Sequence, residues 1–307
     1  MKRLDFHVHI LNDIPVEKTI ENYTDMCERK GYDAVCIQAL LHCEKPTPDN
    51  NRDALEIKAK KPEWYIFGSI DRQSGESYAA QAKRLKEQGF DGIKILGGKP
   101  SEYRIFGYGY EDEKYDELFA YCEEEQFPLM IHNNDPKIHW DISKASARAI
   151  EKGWVYDETL PSQEFFFLAL EGAFARHPKL RAAVAHMGFY SDNLDRASAL
   201  LDLYPNLYFD ITPALIIYSQ LSETPEKSKA FFNKYSDRLI YGTDADNDLT
   251  GHAREYNDTK TEVIKWFLEG NEPKNVCGYD ITPVCLNAEK LADIYYNNAM
   301  RFMGKSH

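Results

Sequence analysis

The chain lacks any cluster of positive charge. Its 37 lysines and arginines are outnumbered by 50 aspartates and glutamates, which gives a net charge of −13 over 307 residues. Nucleic-acid binding depends on clustered lysine and arginine side chains that contact phosphates. We therefore expect no nucleic-acid partner.

Long apolar runs and paired cysteines are also missing. No stretch approaches the roughly 18 apolar residues that a membrane-spanning helix needs, so no membrane partner is expected. Asp5, His7 and His9 interrupt the region where a secretion signal would have its apolar core. The six cysteines are scattered without a Cys-x-x-Cys pair. This predicts reduced thiols in a cytoplasmic protein rather than a zinc finger or a disulfide framework.

Short apolar runs alternate with amphipathic stretches along the whole chain. The apolar runs predict strands at 3–9, 34–40, 65–71, 91–96, 128–133, 181–186, 207–211 and 239–243. The stretches between them predict helices near 16–30, 76–88, 113–125, 162–176, 191–203, 223–235 and 254–269, with a last one at 287–303. The polar segment 41–62 predicts a long loop plus one helix. Strands that alternate with helices form a parallel sheet.

This pattern predicts an α/β fold with one domain, residues 1–307, folded as a distorted (β/α)8 TIM barrel. Long loops are expected after strands 4, 5 and 8. The alternative is an open doubly wound sheet, but no glycine-rich phosphate turn follows the first strand. Barrel enzymes carry their chemistry at the carboxyl ends of the strands, so side chains at those ends are the functional candidates.

Histidines occupy several of those strand ends. His7 and His9 alternate with apolar residues on strand one, so their side chains share a face. His132 ends strand five, His186 ends strand six and Asp244 follows strand eight. A single histidine at a strand end is more often a hydrogen-bonded core residue than a ligand. Together, however, these residues predict a metal site built from nitrogen and oxygen ligands.

The order His-x-His, Lys, His, His, Asp resembles that of the amidohydrolase superfamily. The segments 127–132, 177–188, 204–210, 237–244 and 298–304 resemble its amidohydrolase-related branch, which includes aminocarboxymuconate-semialdehyde decarboxylase and resorcylate-type decarboxylases. The resemblance covers the chain from residue 4 to about residue 304. It is specific for the fold and the metal site, and unspecific for the substrate.

The resemblance implies that His7, His9, His132 and Asp244 bind one Zn²⁺ ion, with two ions as the alternative. Mn, Fe and Co suit the same ligand types. It further implies that the metal supplies hydroxide from bound water at neutral pH, with Asp244 as the proton acceptor. His186 is the expected acid/base residue, and a second metal ligand is the alternative for it.

Lys94, on strand four, has two interpretations under this resemblance. In two-metal members a lysine here is carboxylated and bridges the ions. An unmodified ammonium beside a divalent cation is electrostatically unfavourable. We favour a structural or substrate-contacting role for Lys94 over the carboxylated bridge.

Residues in the predicted loops are candidates for substrate binding: Arg72, Arg104, Asn133, His139, Trp140 and Arg254. A guanidinium group binds a carboxylate through two hydrogen bonds, so we expect a small molecule that carries a carboxylate. For each of these residues alone, ordinary surface polarity is the competing interpretation.

The sequence thus predicts a metal-dependent hydrolase of a small carbonyl substrate, namely an amide, ester or lactone. The alternative is a metal-dependent non-oxidative decarboxylase of a small carboxylic acid, which would use the same site. A non-catalytic metal-binding barrel is a third interpretation, which the complete ligand set disfavours. Preferring hydrolase rests on family frequency rather than on a residue. A homodimer is expected from the relatives.

Overall fold

A computed structural model describes residues 1–10, 14–40 and 50–305. Nine strands of this part form one parallel sheet in the order β8-β7-β6-β5-β4-β3-β2-β1-β9. The strands are β1 Leu4–His9, β2 Ala34–Gln38, β3 Tyr65–Ser69, β4 Gly92–Gly98, β5 Leu129–Asn133, β6 Ala182–Val184, β7 Leu207–Asp210, β8 Leu239–Ile240 and β9 Ala245–Asp246. Parallel neighbours in chain order require crossover connections, and helices supply them.

The helices pack against this sheet and bury an apolar core between the two layers. They are α1 Val16–Lys30, α2 Asn50–Lys60, α3 Tyr78–Glu87, α4 Pro100–Phe106, α5 Glu113–Glu124, α6 Ala147–Glu151, α7 Gln163–Arg176, α8 Leu194–Leu203, α9 Leu215–Glu223, α10 Pro225–Lys234, α11 Gly251–Glu269, α12 Ala288–Ala292 and α13 Asn298–Met303. A two-stranded antiparallel hairpin follows α11, formed by β10 Lys274–Val276 and β11 Tyr279–Ile281. Among the described residues, none of the helices has the length and apolarity to span a bilayer.

One segment of chain contacts both ends of the parallel sheet. β8 pairs with β7, whereas β9, a few residues further on, pairs with β1. Between them, the amide of Phe6 donates to the carbonyl of Tyr241 (3.1 Å), and the amide of Asp244 donates to the carbonyl of His7 (2.8 Å). The sheet therefore curls, in agreement with the predicted TIM-barrel type.

Each predicted strand has an observed counterpart, and the differences have local causes. The eighth strand is divided into β8 and β9 because Asp244 has a φ of +55°, which is incompatible with a strand. α4, α6, α9 and the β10–β11 hairpin are not predicted, since short or uniformly apolar elements lack a clear periodicity. In the segment 41–62, the predicted helix is α2, whereas 41–49 lie outside the described residues. The cysteines that the structure describes are free thiols, and Cys43 falls in that undescribed part.

The connections at the carboxyl ends of the strands differ in length. A short helix, α4, precedes α5 after β4, and residues 134–162 separate β5 from α7. After β9, in contrast, α11 begins at Gly251, so only 247–250 intervene. Counted from β8, the segment is longer: residues 241–250 precede α11, and two of them form β9 beside β1.

Gly242 lies where the segment between β8 and β9 passes close to β1. A Cβ atom at this position would lie 2.7 Å from the Cβ of His7 and 2.8 Å from Cγ2 of Thr212. We expect Gly242→Ala to lower the free energy of unfolding by about 1–3 kcal/mol, because the backbone must shift. Urea unfolding measures this loss.

Gly172→Ala in α7 is the matched control, since the added methyl group meets only the end of Arg176 at 3.5 Å. Alanine is the better helix former, so the control is expected to be as stable as the wild type or more stable. If both variants lose the same free energy of unfolding, the close approach at Gly242 is not the cause of the loss.

Candidate metal centre

His7 and His9 bring their Nε2 atoms together at the carboxyl end of β1. The two nitrogens lie 3.0 Å apart. Oδ1 of Asp244 lies 3.0 Å from Nε2 of His9 and 3.6 Å from Nε2 of His7. All three ligand atoms lie within 4.8 Å of one another. The two imidazoles are buried, whereas the Asp244 side chain is 34% exposed, so the cluster opens on the carboxylate side.

Hydrogen bonds fix the tautomer of both imidazoles. Nδ1 of His7 lies 2.8 Å from Oδ2 of Asp210, and Nδ1 of His9 lies 3.1 Å from the carbonyl oxygen of Gln38. An ionised carboxylate and a carbonyl only accept hydrogen bonds, so each Nδ1 carries the proton. Both Nε2 lone pairs therefore point into the cluster with the Asp244 carboxylate. Such a set of converging acceptors fits a divalent metal ion.

Burial and nearby charged groups determine the protonation states of His7 and Asp244. Burial and the charge of Lys94 hold the pKa of His7 well below its ordinary value, so its imidazole is neutral at about pH 7. Burial opposes ionisation of Asp244, but its contact with His9 and the surrounding positive charge hold the pKa of its carboxyl well below the usual range. The donor set thus includes the neutral imidazole of His7 and the ionised carboxylate of Asp244, with the imidazole of His9 beside them.

Asp210, at the end of β7, orients His7. Its side chain is fully buried, and it accepts hydrogen bonds from the amide of Thr212 (2.5 Å) and from the Thr212 hydroxyl. Burial raises the pKa of the Asp210 carboxyl to about 6. The sequence analysis assigns Asp210 no role, although a carboxylate that ends a buried strand at this edge of the sheet is a usable signal.

We expect Asp210→Asn to weaken metal binding about 10–100-fold, the range found for residues that orient a ligating histidine. An amide accepts the Nδ1–H of His7 less strongly than a carboxylate and can present its NH₂ group instead. Competition with a chromophoric chelator measures the affinity. Asp202→Asn, which removes a surface pair with Lys234, is the control. Unchanged affinity in the Asp210 variant would remove it from the site.

Lys94 reaches the same cluster from β4. Its Nζ lies 3.2 Å from Nε2 of His7, and its side chain is buried. Burial lowers the pKa of Lys94 to about 8, although the carboxylates of Asp210 and Asp244 oppose the decrease. Lys94 therefore lies at the ligand cluster itself, a position that suits either a substrate contact or the carboxylated bridge.

His132 and His186 extend the cluster with two further imidazoles. Their ring centroids lie 5.2 Å apart, and the ring of His186 lies 5.7 Å from that of His7. Nδ1 of His186 lies 3.2 Å from the carbonyl oxygen of Thr212, so its Nε2 is the unprotonated nitrogen. Nε2 of His132 donates instead to the carbonyl of Asn134 (3.0 Å). In this conformation, the Nε2 atom of His132 is not available to a metal.

Burial lowers the pKa of both His132 and His186 to about 4, and the charge of Lys99 adds to the effect on His132. Both imidazoles are therefore neutral at about pH 7. The low pKa of His186 follows from its position inside the fold, where little water is available to solvate a charged imidazole.

The backbone is strained at two of the predicted functional residues. His186 and Asp244 both have a φ of +55°, in the left-handed region that non-glycine residues rarely adopt. The left-handed turn at His186 continues through Met187 (φ +52°) and Gly188 (φ +58°). It places His186 just after β6 rather than on the strand. Strained residues of this kind cluster at functional sites.

The structure does not bring two of the predicted substrate-binding arginines to the cluster. Arg104 donates to the carbonyls of Gly153 and Val155 (3.1 and 2.8 Å). Arg254 contacts Asp25 (3.2 Å) and so links α11 to α1. Each of the two guanidinium groups thus has at least one donor bound by the protein itself.

Arg72 borders the cluster indirectly. Its guanidinium stacks on the ring of Phe106 (3.7 Å) and donates to the carbonyl of Tyr108 (3.0 Å), with Glu102 at 3.6 Å. Arg72 and Lys94 line a cavity with a volume of about 10 Å³, which is room for one water molecule. Arg72, which follows β3, and Lys94 of the ligand cluster therefore lie on the same cavity.

The remaining predicted substrate residues belong to β5 and the segment after it. Asn133 packs against Gly98, on the opposite face of β5 from His132. Trp140 donates its Nε1–H to the carbonyl of Pro161 (3.2 Å). His139 is buried, and its Nδ1 has no hydrogen-bond partner among the described residues.

Asp135 anchors this segment beside His132. It accepts hydrogen bonds from Nζ of Lys99 (3.0 Å) and from the hydroxyl of Tyr156 (2.5 Å), and it lies 3.7 Å from Nε2 of His132. Burial opposes ionisation of Asp135, but Lys99 and His132 hold the pKa of its carboxyl well below the ordinary value. The carboxylate is therefore ionised and fully used in holding the segment.

We expect Asp135→Asn to lower the free energy of unfolding by about 3 kcal/mol at about pH 7, because it leaves the buried Lys99 unpaired. A depressed pKa stabilises the fold above the unfolded-state pKa of about 4 and loses that contribution as the pH falls further. The difference between wild type and variant should therefore be constant from about pH 7 to 5. It should shrink by up to about 1.4 kcal/mol per pH unit below about pH 4.

Asp141→Asn is the control for this titration, since Asp141 pairs with Lys144 at the exposed surface of the same segment. Its effect is expected to be much smaller than that of Asp135→Asn, because solvent screens an exposed pair. Urea unfolding across the pH range measures both variants. A difference for Asp135→Asn that grows in acid would contradict the assignment.

Comparison with known families identifies the chain. Residues 41–305 match the family model described as Amidohydrolase. The chain belongs to the amidohydrolase family. No curated protein matches it. The family is the one that the order of the histidines, lysine and aspartate predicts.

Solved structures share the fold of this amidohydrolase-family chain. An uncharacterised TIM-barrel protein from Bordetella bronchiseptica aligns with a TM-score of 0.62 at 14% identity, covering 99% of each chain. The 2,6-dihydroxybenzoate decarboxylase from Rhizobium aligns with a TM-score of 0.59 at 16% identity, again over 99% of each chain. A dihydroxybenzoic acid decarboxylase from Polaromonas sp. JS666, with bound manganese and the inhibitor 2-nitroresorcinol, aligns with a TM-score of 0.58 at 14% identity, over 99% of this chain and 97% of that chain. At these identities the likeness concerns the fold.

Proposed function

We propose that this amidohydrolase-family protein is a metal-dependent, non-oxidative decarboxylase of a small carboxylic acid. The observation that carries the proposal is the convergence of His7, His9 and Asp244 beside the buried cation Lys94. Positive charge in a buried site binds a carboxylate strongly. Two proteins of the same fold are decarboxylases of dihydroxybenzoates, and one of them holds manganese. This proposal takes the alternative of the sequence analysis in place of its hydrolase.

The donor set suits Zn²⁺ or Mn²⁺, and the proposed ligands are Nε2 of His7, Nε2 of His9 and the Asp244 carboxylate. His132 is proposed to join them through Nδ1, since its Nε2 donates to the carbonyl of Asn134. When bound, the ion supplies positive charge that holds a substrate carboxylate and stabilises negative charge during the reaction. We also interpret the curled sheet as a (β/α)8 barrel in a single domain of residues 1–307.

His186 is the proposed proton donor. In the resting site its Nε2 is unprotonated, because Nδ1–H is bound by Thr212 and burial lowers its pKa to about 4. Binding of an anionic substrate favours uptake of one proton from water by Nε2, and the resulting imidazolium is the proton donor. As the bond to the carboxyl carbon breaks, CO₂ leaves and the electron pair stays on the substrate carbon. Nε2–H of His186 then donates its proton to that carbon.

Hydrolysis of an amide, ester or lactone is the second candidate. One observation favours it: the low pKa of His186 leaves a neutral imidazole that accepts a proton at about pH 7. Such a base would take a proton from the attacking water and return it to the leaving group.

Product analysis separates the two functions. The metal-loaded protein is incubated with 2,6-dihydroxybenzoate and related hydroxybenzoates, and separately with small amides, esters and lactones. Release of CO₂ with loss of one carbon supports the decarboxylase, whereas addition of water with all carbons retained supports the hydrolase. His9→Ala protein is the control for background reaction. If CO₂ release is the same in this variant, the decarboxylase proposal is rejected.

A further inference from the structure

Lys260 lies on the buried face of α11, next to the backbone of the proposed ligand Asp244. Its Nζ donates a hydrogen bond to the carbonyl of Asp244 at 2.6 Å. Lys260 is only 4% exposed, and its ammonium interacts electrostatically with the carboxylates of Asp244, Asp246 and Asp5. Lysine is rarely buried to this extent unless it is paired. The sequence analysis assigns this residue no role.

Asp244 needs support of this kind because its backbone is strained. Its φ of +55° lies in the left-handed region, which is unfavourable for a residue with a Cβ atom. Such a conformation persists only when neighbouring groups hold it. The amide of Asp244 donates to the carbonyl of His7 (2.8 Å), so β1 holds one side of the residue. Lys260 holds the other side through the carbonyl.

Asp5 fixes the residue that precedes Asp244. It accepts the hydroxyl of Thr243 at 2.6 Å and the amide of Thr243 at 3.0 Å. It also accepts the amide of His7 at 3.3 Å. Hydrogen bonds thus join the backbone to β1 at Thr243, the residue before Asp244, and to α11 at the carbonyl of Asp244. Between these two ties, the direction of the Asp244 carboxylate is determined.

We propose that Lys260 is a positioning residue for the metal ligand Asp244. Its ammonium holds the Asp244 carbonyl and so keeps the carboxylate directed at the Nε2 atoms of His7 and His9. The inference rests on the metal site of the proposed function. Lys260 acts through the backbone of Asp244 and is not itself a ligand.

Positioning and charge have opposite effects on metal affinity, and this makes the inference testable. As a positioning group, Lys260 strengthens metal binding because it presents a ligand in the right geometry. As a bare positive charge, it weakens metal binding because it repels a cation. Removing Lys260 therefore lowers the affinity in the first case and raises it in the second.

The test compares Lys260→Met and Lys260→Gln with the wild-type protein. Methionine and glutamine are each one bond shorter than lysine and uncharged. Methionine has no donor, whereas glutamine keeps an NH₂ group that ends one bond short of the lysine Nζ. Zn²⁺ is titrated into the full chain after removal of bound metal, with a chromophoric chelator as competitor. Both variants are expected to bind Zn²⁺ about 10–100-fold more weakly. Circular dichroism shows first which variants are folded, and either folded variant decides the question.

Two further variants complete the design. Lys265→Met removes an exposed lysine from the same helix and is expected to keep wild-type affinity. Lys260→Arg retains a charged donor and is expected to bind Zn²⁺ more tightly than Lys260→Met. Zn²⁺ affinity that is unchanged or higher in the folded Met and Gln variants would overturn the positioning role. If the wild-type protein itself fails to bind Zn²⁺, the metal site of the proposed function fails instead.

Discussion

Protein that carries His7→Ala is expected to lose its bound metal ion. The substitution removes one of the three converging ligand atoms and leaves the buried carboxylate of Asp210 without its imidazole partner. Lys94 also loses its contact with Nε2 of His7 at 3.2 Å, and its ammonium is then free to approach the remaining carboxylate. A cation in that position competes with a divalent ion. Metal affinity therefore falls for two reasons at once.

Plasma mass spectrometry measures this effect on protein purified without chelator. The wild-type chain should hold about one ion, and the His7 variant less than about one tenth of an ion. His252→Ala is the control, because the His252 side chain lies fully exposed at the start of α11. A His7 variant with full metal content would mean that the site lies elsewhere.

His186→Asn is expected to lower turnover about 10²–10⁴-fold while the metal content stays at the wild-type level. Asparagine can keep a hydrogen bond to the carbonyl of Thr212, which His186 contacts at 3.2 Å. It has no titratable nitrogen, so only the transfer of the proton is lost. Steady-state kinetics on the substrate found by product analysis, combined with metal analysis, measures both quantities.

The two possible roles of His186, acid/base residue and metal ligand, predict different results in this experiment. If the variant loses metal together with activity, His186 is a ligand rather than the acid/base residue. If it keeps normal turnover, the residue has neither role. His177→Asn is the matched control. His177 is also buried, but it follows the last residue of α7 and contacts Asp116 of α5 (3.0 Å). It should keep its turnover.

Local patterns in the sequence predict which side chains meet at the carboxyl end of β1. Alternation along β1 places His7 and His9 on one face, and the structure shows their Nε2 atoms 3.0 Å apart. Asp244 is predicted at the end of strand eight, and the curled sheet brings it to β1. Both predictions depend only on strand periodicity and on the rule that parallel strands end at a common edge.

Residues that act through partners distant in the sequence could not be predicted from local patterns. Asp210 orients His7 from β7, and Lys260 holds Asp244 from α11. Neither contact leaves a short-range pattern, because each depends on how the sheet curls and how a helix packs. The left-handed turn at His186 is also tertiary in origin, since only its third residue, Gly188, is a glycine.

The contacts of long loop side chains could not be predicted from the sequence. Arg104 and Arg254 suit a carboxylate by residue type, yet the carbonyls of Gly153 and Val155 and the carboxylate of Asp25 occupy them. The direction of a long side chain is decided by the partners that folding places near it. The same limit applies to the reaction, because the fold does not by itself decide between hydrolysis and decarboxylation.

A crystal structure of the metal-soaked protein, with anomalous scattering measured at the absorption edge of the metal, tests the central claim most directly. Convergence of His7, His9 and Asp244 predicts one strong peak about 2.0–2.2 Å from both Nε2 atoms and from a carboxylate oxygen of Asp244. The two nitrogens, which now lie 3.0 Å apart, should both face the ion. A strongest peak at other residues, with Nε2 of His7 still bound to Lys94, would contradict the account.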